Sequence, residues 1–263
     1  MIPGSPGSST RPPRKAPSSS AMRISVLTCV TGEPESLERT RESLRPFLNP
    51  AFKWIIKFSG ASSPDFIRRF ESAHTEITQR EDKSLYEAMN QGLELLRTEL
   101  YFVIGAGDRI LPEGGKALSR LQGGNGLSQT ANFAPAFLEA SKQVFAARPG
   151  EISRRMSCPH PGAILNVANS RDIGGFDTSY RIASDYDHLS RYLLRFPRHE
   201  VLDVPPIVSC SAGGISEIRA LEGYLEEELI RKRVWKATDL ATYGRILERS
   251  AGFIGRTIRR QHH

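Results

Sequence analysis

In residues 85–108, LYEAMNQGLELLRTELYFVIGAGD, one periodicity gives way to another within a few positions. Leu85, Met89, Gly92 and Leu96 recur at helical spacing and predict a helix with one buried face. Leu100 to Ile104 is continuously apolar, as a strand covered on both faces is. The strand empties into Gly105-Ala106-Gly107, whose small side chains let a ligand approach the backbone, and the turn ends on the carboxylate of Asp108.

The same alternation continues upstream. Arg23 to Thr28 alternates and is rich in β-formers, and Leu37, Leu44, Phe47 and Leu48 are spaced as one helix face within Pro34 to Leu48. Trp54 to Phe58 is a second short strand. Ser63-Pro64 then suits a helix start with proline in the first turn, with Phe66, Ile67 and Phe70 as its buried stripe. A β-α-β-α order implies an α/β fold with a largely parallel sheet. In such sheets ligands bind beyond the carboxyl ends of the strands, here after Thr28, Phe58 and Ile104. Downstream the pattern is less regular: strands near Gln129 to Phe133, Gln143 to Ala147 and Gly162 to Val167, a helix from Asp185 to Phe196, and a strand through Val201 to Val204.

A length of 263 residues with 39% apolar content fits one large domain. Residues 1–21, almost entirely Pro, Gly, Ser, Thr, Arg and Lys, are expected to be a disordered leader, with Met22 as an alternative start to Met1. No apolar run approaches the roughly 20 residues of a membrane span, and the N-terminus lacks the apolar core of a signal peptide, so a cytoplasmic protein is expected. Cys29, Cys158 and Cys210 form no CxxC pair and read as reduced, buried thiols. The formal charge of +7 sits at the ends: from Leu229 onward nine basic residues face two acidic ones, and Arg11, Arg14 and Lys15 lie in the leader. A mildly acidic body argues against a nucleic-acid partner. In the tail the basic residues are interspersed with Val234, Trp235, Leu240, Tyr243, Ile246, Leu247, Phe253, Ile254 and Ile258. Basic amphipathic helices are expected there, docked on the domain or resting on an anionic membrane surface. The expected division is a leader at 1–21, a catalytic domain at 22–218 and a basic helical tail at 219–263.

Asp108, at a strand's end, reads either as a ligand for Mg²⁺ or Mn²⁺, which bind through one or two carboxylates plus substrate phosphates, or as a turn aspartate that accepts backbone N–H groups. Asp185 and Asp187 stand at a helix start, where aspartate is a common cap. Side chains two apart do not share a helix face, so at most one of them points into a cleft.

Several segments resemble glycosyltransferase family 2. Residues Glu81 to Gly92 are similar to the family's acidic-Asp-Lys-Gly-Ile-Tyr-Asp-Ala-Met-Asn-Lys-Gly run. Ile173 to Asp177, Tyr180 and Ala183 to Asp187 resemble its GGFDE, Tyr, Asp-Tyr-Asp series, and Gly213 to Ser216 its later GGxS. The likeness covers Arg23 to Ser216. It implies a GT-A fold, a Rossmann-like three-layer α/β/α arrangement with a mostly parallel central sheet, and a nucleotide-diphospho-sugar donor. It further implies that Asp185 is the catalytic base for a hydroxyl acceptor, glycan or lipid-linked, with inversion at the anomeric carbon. On the same ground Asp108 would hold the divalent cation, Lys83 would lie near the diphosphate, Asp82 near the nucleotide, and Thr28 and Val30 beside the base. Asn90, within the matched run, and His160, on the acceptor side, complete the substrate-binding candidates; His160 reads equally as a structural histidine. The implied setting is surface polysaccharide or glycolipid biosynthesis, at the inner face of the membrane. Two departures stand out. Ala106-Gly107-Asp108 retains only the last carboxylate of the family's Asp-x-Asp metal motif, and Phe58-Ser59-Gly60-Ala61 replaces its Asp-Gly-Gly-Ser. They motivate an alternative, a degenerate GT-A domain that binds nucleotide or glycan, or supports a partner, without turnover.

Overall fold

The computed structural model describes residues 23–123, 130–214 and 218–237. The expected leader, Gln129, Ile215 and Ser216, and the tail beyond Ala237 lie outside the described residues. Among the described residues, eleven strands and seven α-helices follow in chain order: β1 Ile24–Thr31, α1 Ser36–Leu44, β2 Phe52–Ser59, α2 Pro64–Arg68, β3 Thr75–Gln79, α3 Leu85–Leu95, β4 Leu100–Val103, β5 Arg109–Ile110, α4 Pro112–Gly123, β6 Ala131–Phe133, β7 Ala136–Leu138, β8 Gln143–Phe145, β9 Ala163–Asn166, α5 Val167–Asp172, α6 Ser184–Arg195, β10 His199–Val201, β11 Val208–Cys210 and α7 Ala220–Trp235.

The main sheet has the order β10-β6-β9-β4-β1-β2-β3, and in it only β9 runs against its neighbours. The chain therefore steps outward from β1 to β3, then returns to the other side of β1 with β4. That reversal opens a crevice at the carboxyl ends of β1 and β4. A second sheet, β5-β11-β7-β8, stands beside this opening.

Alternation along the strands sorts the core into two layers. Ile24, Val26, Trp54, Ile56, Phe58, Leu100 and Phe102 face α1, α2 and α4, while Leu27, Ile55, Tyr101 and Val103 face α3 and α6. Gly92 is what lets α3 sit so close: a Cβ there would lie 2.5 Å from a Leu27 methyl. Two expectations are corrected. The strand placed at Val201 to Val204 is β10, His199–Val201, because Pro205 and Pro206 follow and lack N–H groups for a ladder. β1 extends three residues beyond Thr28, which puts Thr28 and Val30 inside the core rather than at the rim.

Helix α7 packs against α6. Its inner face carries buried Glu226, Glu228, Ile230 and Arg231, whereas Leu221, Leu225 and Leu229 are exposed. Within residues 220–235 the helix docks through Ile230, Val234 and Trp235, which join the core, and it buries charged side chains beside them. Among the described residues no helix is long and apolar enough to cross a membrane.

Candidate functional site

Beyond the β4 end, Gly107 takes a left-handed φ of +105° and its N–H donates to Thr40 Oγ1 at 2.9 Å, so the turn folds back on α1. Asp108 is thereby brought over its own turn. Its Oδ2 accepts from Gly105 N–H at 2.7 Å, and its Oδ1 from Ser211 N–H at 2.8 Å and Ser211 Oγ at 3.1 Å. Burial raises the Asp108 carboxyl above the usual range, against the pull of these donors. Asp108 lines a cavity of about 510 Å³, and so does Asp185 from the far half of the chain. His160 also lines it, with Tyr86 and Met89 of α3, Phe145 of β8, and Tyr224 and Glu227 of α7. Cys158 and Cys210, also lining it, are free thiols that burial pushes up to about 12, so both stay protonated.

Asp185 is the second residue of α6. Burial pushes its carboxyl up to about 7; the Tyr186 N–H, at 2.8 Å from Oδ1, opposes the shift, and the nearby charges of Glu227 and Glu226 add to it. Asp187 points elsewhere: it is fully buried, bonded to Arg191 Nε at 2.7 Å and to Arg233 at 2.6 Å. The helix period thus separates the two acids into one that faces the cavity and one in an internal ion pair.

His160 meets Phe176 edge-on at 5.7 Å, and Phe176 is stacked between Tyr86 at 6.0 Å and the buried His188 at 4.3 Å. Burial lowers His160 to about 4 and His188 well below the ordinary range, so both rings are neutral at neutral pH.

The remaining candidates are not on the cavity wall. Thr28 is fully buried and accepts from Trp54 Nε1 at 3.0 Å, and Val30 is buried beside it; the exposed rim of β1 is Thr31 and Gly32. Asp82 forms an ion pair with Lys57, a fully buried lysine that also donates to the Arg80 carbonyl at 2.7 Å. Lys83 is exposed, and its N–H is held by Glu87 at 2.8 Å in the cap of α3. Asn90 is engaged at both ends of its amide, donating to Phe176 O and accepting from Phe176 N–H, each at 2.8 Å.

No family model matches the chain. Two Mycobacterium tuberculosis proteins, from strains CDC 1551 / Oshkosh and ATCC 25618 / H37Rv and each named an uncharacterized glycosyltransferase, are 24% identical over 184 residues, 66% of this chain and 70% of theirs. Among solved structures, S. aureus TarS matches 87% of this chain with a TM-score of 0.62 at 14% identity, and the chain spans only 43% of that protein's length. TarS 1-349 in complex with UDP-GlcNAc gives 0.63 at 15% identity over 80% of this chain and 65% of its own. The mannosyltransferase PcManGT from Pyrobaculum calidifontis, in complex with GDP-Man and Mn²⁺, gives 0.60 at 17% identity over 92% and 72%. The fold is the GT-A fold of glycosyltransferases.

In this GT-A domain the fit of a divalent cation rests on Asp108. A carboxylate oxygen offers about two lone pairs. Oδ1 has two donors and Oδ2 has one, which leaves a single position for an ion. Among the described residues no group of three or more His, Cys, Asp or Glu is placed to hold a metal. The site therefore fits an ion that has one protein ligand and takes its others from a bound diphosphate and water, a usual state for Mg²⁺. Missed by motif reading were Ser211, which fixes Asp108, and the α7 residues on the cavity wall; neither stretch carries a chemical signature of its own.

The Asn90 geometry makes a direct prediction for the GT-A domain. Asn90→Ala removes both bonds that pin α3 to the Phe176 turn and leaves that turn's N–H and C=O without partners. A loss of about 2–4 kcal/mol in urea unfolding is expected, with donor affinity in the variant that remains folded close to wild type. A selective loss of donor affinity with unchanged stability would instead make Asn90 a ligand contact.

Proposed function

We propose that the chain is an inverting glycosyltransferase that moves a hexosyl group from a nucleotide-diphospho-sugar to a hydroxyl acceptor. The observation that carries this reading is that Asp108 and Asp185, from distant parts of the sequence, line one cavity of about 510 Å³, a size suited to small-molecule ligands.

A hydroxyl is a poor nucleophile until its proton has somewhere to go. Asp185 accepts that proton while the acceptor oxygen bonds to the anomeric carbon and the bond from that carbon to the diphosphate oxygen breaks. Attack and departure on opposite faces invert the carbon. A carboxyl held near 7 is matched to this task at neutral pH, with about half of it ionised and the carboxylate basic enough to take a proton. His160, neutral and lining the same cavity, hydrogen-bonds the acceptor. Asp108 is the residue that would hold Mg²⁺ or Mn²⁺, and such an ion would supply charge neutralisation for the leaving nucleoside diphosphate. Asp82 and Lys83 flank the nucleotide from the α3 cap. Thr28 and Val30 support that side from within β1. The relatives' names support the transferase class, and the UDP-GlcNAc, GDP-Man and Mn²⁺ of the structural neighbours support the donor and cation. The setting we assign is surface polysaccharide or glycolipid assembly at the cytoplasmic face, with the basic C-terminal segment against anionic lipid.

A thermal-shift series with UDP-, GDP-, dTDP- and CMP-sugars, each with and without Mn²⁺, tests the donor site, since a ligand at 100 times its Kd stabilises the native state by about 2.7 kcal/mol. A shift with one nucleotide class, larger with Mn²⁺, is expected. No shift with any of them points to a domain that has lost its donor.

A further inference from the structure

The loop before α6 is held from two sides. Tyr86 of α3 donates its hydroxyl to the Ile182 carbonyl. From the other side comes Glu226 of α7, only 9% exposed. Its Oε1 accepts from Arg181 N–H at 2.8 Å, and its Oε2 from Ile182 N–H and Ala183 N–H, both at 2.8 Å. The N-cap residue of α6 is Ala183, which has no side chain that could cap it. Successive amides aimed at one point are a natural anion site. Here a carboxylate of the same chain fills the one made by residues 181–183, which ends on the N-cap amide two residues before Asp185. A second tie follows on the same helix, where Arg233 donates to Asp177 at 2.7 Å and to Asp187 at 2.6 Å and lies over the Tyr180 ring at 5.0 Å.

Taking Asp185 as the base, we propose that Glu226 is a positioning residue that caps α6 across the domain and holds the 181–183 loop so that Asp185 is presented to the cavity. The active site then includes α7, a helix that motif matching places outside the catalytic domain. Glu226 acts by geometry first and by charge second. The groups around Asp185 are Tyr86 from α3, Glu226 and Glu227 from α7, its own neighbour Tyr186, and His160, which lines the same cavity. Removing one negative charge from this set favours the ionised base and moves the acidic limb of the rate profile to lower pH.

The test compares Glu226→Gln, Glu226→Ala and Asp185→Asn in the full chain. UDP-GlcNAc and GDP-Man serve as donors, a panel of methyl glycosides as acceptors, and nucleoside diphosphate release as the signal. Gln keeps one carbonyl oxygen for Ile182 and Ala183 but turns an amide towards Arg181 N–H. For Ala, kcat is expected to fall about 100-fold, the scale of a misplacement near 1 Å, with donor KM nearly unchanged. For Gln a smaller fall is expected, with the acidic limb shifted down. Hydrogen exchange at the amides of residues 181–183 rises in both variants, a readout independent of turnover. If Ala does not fold, Gln carries the comparison. Wild-type kcat and wild-type exchange in Gln and Ala, beside an inactive Asp185→Asn, overturn the positioning role and leave the base assignment standing. Turnover retained by Asp185→Asn overturns the base assignment, and the exchange data alone then decide whether Glu226 holds the loop.

Discussion

Asp185→Asn is expected to lower the transfer rate by a factor of about 10²–10⁴, the range supplied by a positioned general base, while leaving donor binding unchanged. The substitution keeps the shape and the contact with Tyr186 N–H but removes the proton acceptor. Two further signs accompany it. In the wild type the rate should rise with pH through about 7 as Asp185 ionises, because only the carboxylate can take the proton. The variant's residual rate should lack that limb. The stability change runs the other way. The folded carboxyl is raised above its unfolded value, so its contribution to stability is present below about pH 4 and is lost as pH climbs to about 7. At pH 8 the wild type carries an ionised group that the fold disfavours, and Asp185→Asn should melt at a higher temperature than wild type. A variant with wild-type turnover, or one that melts lower at pH 8, contradicts the assignment.

Asp82→Asn is expected to cost about 3–5 kcal/mol in urea unfolding, because it leaves the Lys57 ammonium buried without its counter-charge. The Lys57 side chain is fully buried and that of Asp82 is 7% exposed, and the other partners of the ammonium are the Arg80 carbonyl and Ser59 Oγ. Lys57→Met should be similarly harmful, since it strands the carboxylate. The double variant Lys57→Met/Asp82→Leu should recover much of the loss, a coupling read directly by a double-mutant cycle with the single variants Lys57→Met and Asp82→Leu. Additive single losses would mean that the pair is solvated in solution. Against a usual stability of about 5–15 kcal/mol, either single change removes a large share. This pair also bears on the donor site, because it fixes the 80–84 turn from which Lys83 and the cap of α3 project.

The central β-α-β-α run was legible because long strands and helices repeat their pattern often enough to be recognised. The turn from Ile104 to Asp108 and the start of α6 were legible for a second reason, the resemblance, and both Asp108 and Asp185 line the cavity. Other parts left no trace for physical reasons. Strands β5, β7 and β11 have two or three residues, too few for alternation to register, and the edge strand β3 has no buried residue. Thr28 and Val30 were placed at a rim that β1 in fact overruns, since a pattern does not mark where a buried strand stops. Asn90 sits in the best-matched run, yet its amide is occupied by the Phe176 backbone, a long-range contact that no local pattern encodes. Helix α7 was legible only in part: Ile230, Val234 and Trp235 pack on the core as apolar residues do, whereas Glu226, Glu228 and Arg231 are buried with partners that the apolar pattern does not mark.

The cap on α6 also sets an order of events during synthesis. Chains emerge and fold from the N-terminus, and β1 to β4 are made before Ser211, which supplies two of the three donors to Asp108. The acceptor for the Arg181 amide lies 45 residues beyond it. Until Glu226 has left the ribosome, the loop before Asp185 is held from the α3 side by Tyr86 and lacks its tie to α7. Both carboxylates of the cavity therefore gain their long-range partners only after the first four strands of the sheet have been made.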